Sequence, residues 1–169
     1  LVAALLAGEY RKARLLNFLD PWQDQYGVGY QLIQSLASVG SGGLFGRGLG
    51  NSTQKLFFLP EAHTDFIYAI IAEETGLIGA SIVFLIIVFL FRKNLQAAFI
   101  HEDKFKRLLV FGLSFLIFVQ SFVHVFVVIG LLPTKGLTLP FVSYGGSALV
   151  VTMFFIGVIL RSIDEAEVQ

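Results

Sequence analysis

"KLFFLPEAHTDFIYAIIAEETG" (residues 55–76) carries a proline, acids on either side of a histidine and two further glutamates straight into an apolar segment. The hydrophobicity then continues to Phe91. Residues 66–91 are therefore long enough to cross a bilayer core of roughly 30 Å, which takes about 20 apolar residues. The span decides the fold class, and Asp65 at its mouth poses the functional question, because charge is costly in lipid.

Residues 108–132 and 141–160 have the same character. The composition agrees: 56% of the 169 residues are hydrophobic and 14% charged, with a mean hydropathy of +0.78, more apolar and less charged than a soluble domain. A formal net charge of +0 gives no basic surface for nucleic acid. With Cys 0, disulfides, thiolate metal sites and a cysteine nucleophile are excluded. The expected architecture is an all-α polytopic membrane protein. It has three full transmembrane helices, a truncated first one over residues 1–7, and a long extracellular loop, residues 8–65, carrying short helices.

The truncation is expected because the chain opens without Met inside an apolar run too short to span, and that run lacks the basic region of a signal peptide. Sidedness follows from residues 92–107, "RKNLQAAFIHEDKFKR", whose Arg92, Lys93, Lys104, Lys106 and Arg107 place this polar loop in the cytoplasm. Alternation puts "PTKGLTLPFVSYGG" outside and the tail "RSIDEAEVQ" inside. Arg11, Lys12 and Arg14 run against that assignment, yet long loops translocate largely regardless of charge.

The long loop has internal structure. Helical spacing in "EYRKARLLNFL" fits either an interfacial helix or a continuation of the preceding span. Asp20 and Pro21 are a good cap and a good first helical residue, and "GYQLIQSLASVG" predicts a short helix ending at Gly40. "GSGGLFGRGLG" (residues 40–50) matches no nucleotide loop and follows no strand. Its glycines either supply left-handed turns that fold the loop onto helices, or form a phosphate nest beside Arg47.

At helical periodicity Asp65, Ala69, Ala72, Glu73, Gly76 and Ala80 share one mostly small face, which turns toward protein. Asp65 reads equally as a helix cap or as a functional carboxylate. Glu73 and Glu74 are expected to pair with a basic residue outside this sequence. Gln120 and His124, four apart, suit a mutual or interhelical hydrogen bond, with a proton relay as the sharper alternative. No ligand spacing supports a dedicated zinc site. His63 is read as bonding a neighbour of Asp65. In "GLLPTKGLTLPFVSYGGS" prolines and glycines surround Lys135 and Tyr144, an irregular turn that membrane depth allows only against protein or a watery cavity. Lys135 suits an anionic headgroup, or simply snorkels to water.

Three of these stretches, "LDPWQDQYGVGYQLIQSLASVGSGGLFGRGLGNSTQKL", "FLPEAHTDFIYAIIAEE" and "GLLPTKGLTLPFVSYGGSA", together resemble the SEDS family of shape, elongation, division and sporulation proteins. The resemblance covers essentially the whole chain, and is nearer the division branch than the elongation branch, with the sporulation branch kept open. It implies a peptidoglycan glycosyltransferase of the bacterial cytoplasmic (inner) membrane, working at the division septum. Such an enzyme polymerises lipid II into glycan carried on undecaprenyl pyrophosphate, beside a class B penicillin-binding transpeptidase and other divisome proteins, in contact with membrane lipid. It also implies that Asp65, in the "HTD" motif, is the essential residue.

The chemistry is reasonable. A sugar hydroxyl attacks an anomeric carbon only as a base takes its proton, which a carboxylate at the headgroup plane can do. Inversion needs one such base opposite the leaving group. The departing pyrophosphate needs cations, for which Lys135, Lys55 and Arg47 rank in that order, and a divalent ion, Mg or Mn, is left open. His63, Glu61 and Tyr144 complete the expected substrate contacts. The chain departs from the usual family pattern at His124 and Phe126, where asparagine and glycine are common, and the bulk of Phe126 bears on helix packing there. A lipid II transporter lined by Glu73, Glu74 and His124, and a non-catalytic division scaffold, are the competing readings. Little activity is expected of this chain alone, since its inward helix faces would lack partners.

Overall fold

A computed structural model describes residues 18–25, 27, 29–52 and 63–167. The expected helix over residues 1–7, the interfacial segment after it, Lys55 and Glu61 lie outside the described residues. Among the described residues four α-helices follow the helical residues 18–19: α1 (Tyr30–Gly42), α2 (Ile67–Ile100), α3 (Lys104–Val128) and α4 (Gly146–Glu167). No strand occurs among the described residues. The last three are long and apolar enough to cross a membrane. Their outward residues, among them Leu85, Phe89, Leu116 and Phe154, are exposed as lipid contact requires.

The chain enters through a 3-10 turn, Pro21–Asp24, where the Asp20 carboxylate accepts from the Trp22 amide at 3.3 Å. Helix α1 then runs two residues past the expected Gly40.

All three membrane-length helices have limits that differ from the sequence expectation. Helix α2 does not stop at Phe91 but carries residues 92–100 through to Ile100, and the polar loop shrinks to residues 101–103. Ala98 explains the extension: it is buried and sits with Val110 and Ile159 in a small apolar cluster joining α2, α3 and α4. Helix α3 begins at Lys104 rather than 108, because Asp103 caps it by accepting from the Phe105 amide at 2.8 Å. It ends at Val128 rather than 132, where Gly130 turns left-handed (φ 74) and Leu131 donates back to the Phe126 carbonyl at 2.8 Å. Helix α4 starts at Gly146 rather than 141, since Phe141 itself stands at φ 66, outside the helical region.

The main core lies at the end of the bundle where α2 starts and α3 finishes. Phe66, Ala69, Ile70, Ala72 and Ala80 of α2 and its entry meet Val125, Val128 and Leu139 there. The expected small face is thus buried, and it holds α2 close to α1 and α3. Along the α2–α3 seam, Phe91 stacks on Phe118 with centroids 4.3 Å apart, and Phe122 stacks on Phe126 at 4.0 Å. The bulky Phe126 is accommodated in this aromatic row.

Helix α2 is broken once. Gly76 adopts φ 69 and ψ −171, which disconnects the amides of Leu77 and Ile78 from the carbonyls of Glu73 and Glu74 that a regular helix would give them. The glycine-rich loop after α1 replaces both bonds. Leu77 and Ile78 donate to the carbonyls of Gly43 (2.9 Å) and Leu44 (3.3 Å), while Glu73 and Glu74 accept from the amides of Arg47 (3.0 Å) and Gly48 (3.0 Å). Four backbone groups that would each cost several kcal/mol unpaired in lipid are satisfied by one loop. Of the two readings of the glycines, compact docking onto a helix is the one the geometry supplies.

Candidate functional site

Asp65 sits in the turn, residues 63–66, that leads into α2, and it is half-buried. The cap position of α2 is Phe66, whose side chain makes no cap hydrogen bond, and Asp65 stands one residue before it. Asp65 therefore does not serve as the helix cap, and it precedes the small face rather than continuing it.

The segment between α3 and α4 wraps this turn. Tyr144 donates its amide to the His63 carbonyl at 2.9 Å. The Ser143 hydroxyl donates to the Thr64 carbonyl at 2.6 Å and accepts from the Leu139 amide at 2.7 Å. Gly136 approaches Asp65 itself, closely enough that a Cβ on it would lie 3.1 Å from Asp65 Oδ2. The carboxylate is thereby set beside the backbone of the Lys135–Gly136 pair, and Lys135 is exposed.

Below this contact the segment is fixed to α3. Gln120 donates to the Thr138 carbonyl at 2.9 Å and approaches its hydroxyl at 3.4 Å, and His124 Nδ1 is 2.7 Å from the Leu137 carbonyl. Neither the expected mutual bond between Gln120 and His124 nor a bond from either to another helix is seen among the described residues. Each side chain instead satisfies a carbonyl of non-helical backbone, which membrane depth makes obligatory.

The structure brings together Asp65, the Lys135–Gly136 turn, and the backbones of His63 and Tyr144; both latter side chains reach the surface. Arg47 belongs to a different cluster. Its guanidinium meets Glu73 Oε1 at 3.4 Å, while Ser52 and Ser38 donate to Glu73 Oε2 at 2.5 and 3.2 Å. Glu73 is fully buried. Its partners come from α1 and the loop after it, not from residues beyond this sequence as its placement alone suggested. They neutralise the charge by pairing and hydrogen bonding, the condition for burying it.

Sequence reasoning missed Ser143 and Gly136. Ser143 gives no signal beyond being a small hydroxyl residue in a loop. Gly136 could have been found by asking why a residue lacking a side chain follows Lys135.

No group of three or more potential metal ligands is gathered among the described residues.

A model of the FtsW/RodA/SpoVE family, described as cell cycle protein, matches residues 1–167. A protein of Geobacter metallireducens named probable peptidoglycan glycosyltransferase FtsW is 49% identical over 153 residues, covering 90% of this chain and 41% of its own length. One of Thiomicrospira cyclica with the same name is 50% identical over 164 residues, covering 95% and 42%. A solved structure described as "Structural coordination of polymerization and crosslinking by a peptidoglycan synthase complex" superposes with a TM-score of 0.74 at 27% identity, over 93% of this chain and 42% of that one. The chain spans about two fifths of the length of the curated relatives it matches.

Proposed function

Because the chain belongs to the FtsW/RodA/SpoVE family of cell cycle proteins, we propose that it forms the Asp65-bearing part of a septal peptidoglycan glycosyltransferase that polymerises lipid II. One observation carries this reading: a carboxylate held at the mouth of a membrane-length helix, against Gly136, and not used to cap the helix.

Asp65 acts as general base. As it takes the proton of the acceptor sugar's 4-hydroxyl, that oxygen bonds to the anomeric carbon of the donor, and the bond from the same carbon to phosphate oxygen breaks. The pair of electrons leaves on the lipid-linked pyrophosphate, with inversion at carbon. Lys135, beside Gly136 on the same turn, is placed to offset the charge of that leaving group. Lys55 is proposed as a second cation and Glu61, His63 and Tyr144 as substrate contacts. Arg47 is less suited than expected, since Glu73 already engages it.

The remaining proposals follow from the family. They are a polytopic protein of the bacterial cytoplasmic membrane, with the Asp65 end outside, residues 101–103 inside, and a class B penicillin-binding transpeptidase and other divisome proteins as partners. The transporter alternative is disfavoured, since two of its three expected path residues, Glu73 and His124, are engaged within this chain. Glu73 is held by Ser38, Ser52 and Arg47, and His124 by Leu137.

The test reconstitutes the full-length protein with its transpeptidase partner in lipid II vesicles, blocking crosslinking with a β-lactam. Glycan strands are expected. Translocation of headgroups without polymer would put transport first.

A further inference from the structure

We infer that His124 is a positioning residue for Asp65, acting as a neutral Nδ1–H donor through the segment between α3 and α4; the inference rests on the glycosyltransferase reading above.

A carbonyl oxygen can only accept, so the 2.7 Å contact to Leu137 places the proton on Nδ1 of His124. Nε2 is buried with no hydrogen-bond partner among the described residues, and the residue is 1% exposed. A proton there would be a buried, unpaired donor, which is costly. His124 is therefore held as the neutral Nδ1–H tautomer, donating to Leu137.

The donor matters because of what hangs on it. Residues 133–139 are not helical, and among them Leu137 and Thr138 are bonded to His124 and Gln120. The residue before this pair, Gly136, lies where an added Cβ would stand 3.1 Å from Asp65 Oδ2. The residue after it, Leu139, donates to Ser143, which donates to Thr64. A shift at Leu137 thus reaches Asp65 through the adjacent Gly136, and by a longer route through Leu139, Ser143 and Thr64. In asparagine the amide nitrogen stands the same number of bonds from Cα as Nδ1 does in histidine, so asparagine presents the same neutral donor to Leu137. Leucine matches the size and offers none.

The experiment uses the full-length protein with its transpeptidase partner. His124→Leu is expected to lower kcat for lipid II polymerisation by about 10-fold or more with KM little changed, as misplacement of a reacting group does. His124→Asn is expected to restore the rate to within a few-fold. Independently of activity, hydrogen exchange at residues 64–66 and 137–139 should rise in the leucine variant and not in the asparagine variant. Nitrogen NMR of the histidine-labelled protein should show a neutral Nδ1–H ring whose signal vanishes in His124→Asn.

A protein that fails to polymerise while the exchange pattern holds would sink the enzymatic reading and leave the mechanical link standing. Unchanged exchange in His124→Leu, an asparagine variant as impaired as the leucine one, or an Nε2–H ring would overturn the inference. Should His124→Leu fail to insert, Gln120→Leu removes the parallel bond to Thr138, and the same exchange measurement decides.

Discussion

Gly46 and Gly76 meet backbone to backbone: a Cβ built on Gly46 would lie 2.7 Å from the Gly76 amide nitrogen, and one on Gly76 would collide with the Gly46 amide and the Leu44 carbonyl. Both residues also have positive φ, 79 and 69. Neither a side chain nor an ordinary backbone conformation is permitted at this crossing. Gly46→Ala and Gly76→Ala are each expected to destabilise the protein by about 2–5 kcal/mol, the sum of a left-handed penalty and overpacking. The thermal midpoint of the detergent-solubilised protein reads the effect. Gly40→Ala, inside α1 where a Cβ meets nothing within 4 Å, should hold or slightly raise it, since alanine favours the helix.

The buried carboxylate beneath that crossing supports an asymmetric prediction. Glu73→Ala takes from Arg47, Ser38 and Ser52 an acceptor they share, and leaves two buried hydroxyls without it at about 1–3 kcal/mol each. Arg47→Ala should cost less, because its side chain is 45% exposed and Glu73 keeps both hydroxyl donors. Thermal unfolding of the two variants, and proteolysis of the loop after α1, give the comparison. Equal losses would mean that the hydroxyls contribute little.

Gly136 separates position from stability. Its φ is not in the left-handed region, so alanine suits the backbone, yet the new Cβ would press on Asp65 Oδ2 at 3.1 Å. Gly136→Ala is expected to slow polymerisation by about 10–100-fold through a displacement of a few tenths of an ångström, with the thermal midpoint nearly unchanged. A steady-state assay beside a melting curve checks both halves.

Much of this was legible in the sequence, and the parts that were not have a common cause. Run length alone located three spans, and periodicity of Ala69, Ala72, Glu73, Gly76 and Ala80 found the face that α2 buries. Both are local signals. The partners of Glu73, Gln120 and His124 were misassigned because each lies in non-helical backbone or on another element, 13 to 35 residues away where hydrogen bonds are recorded. No propensity or spacing rule reaches that far. The break at Gly76 was hidden for a related reason: a glycine on a small face reads as close packing, and only the loop that replaces its missing bonds makes an interruption affordable. Helix α2 outran its hydrophobic limit because residues 92–100 lose lipid-like character but not helix propensity.

The proposed role of Asp65 as the base is tested most directly by polymerisation of lipid II by the full-length Asp65→Asn protein with its transpeptidase partner. Asparagine keeps the shape and accepts no proton, so the rate should fall by about 10²–10⁴-fold while membrane insertion, thermal midpoint and partner binding hold. Glycan strands formed at close to the unsubstituted rate would contradict it.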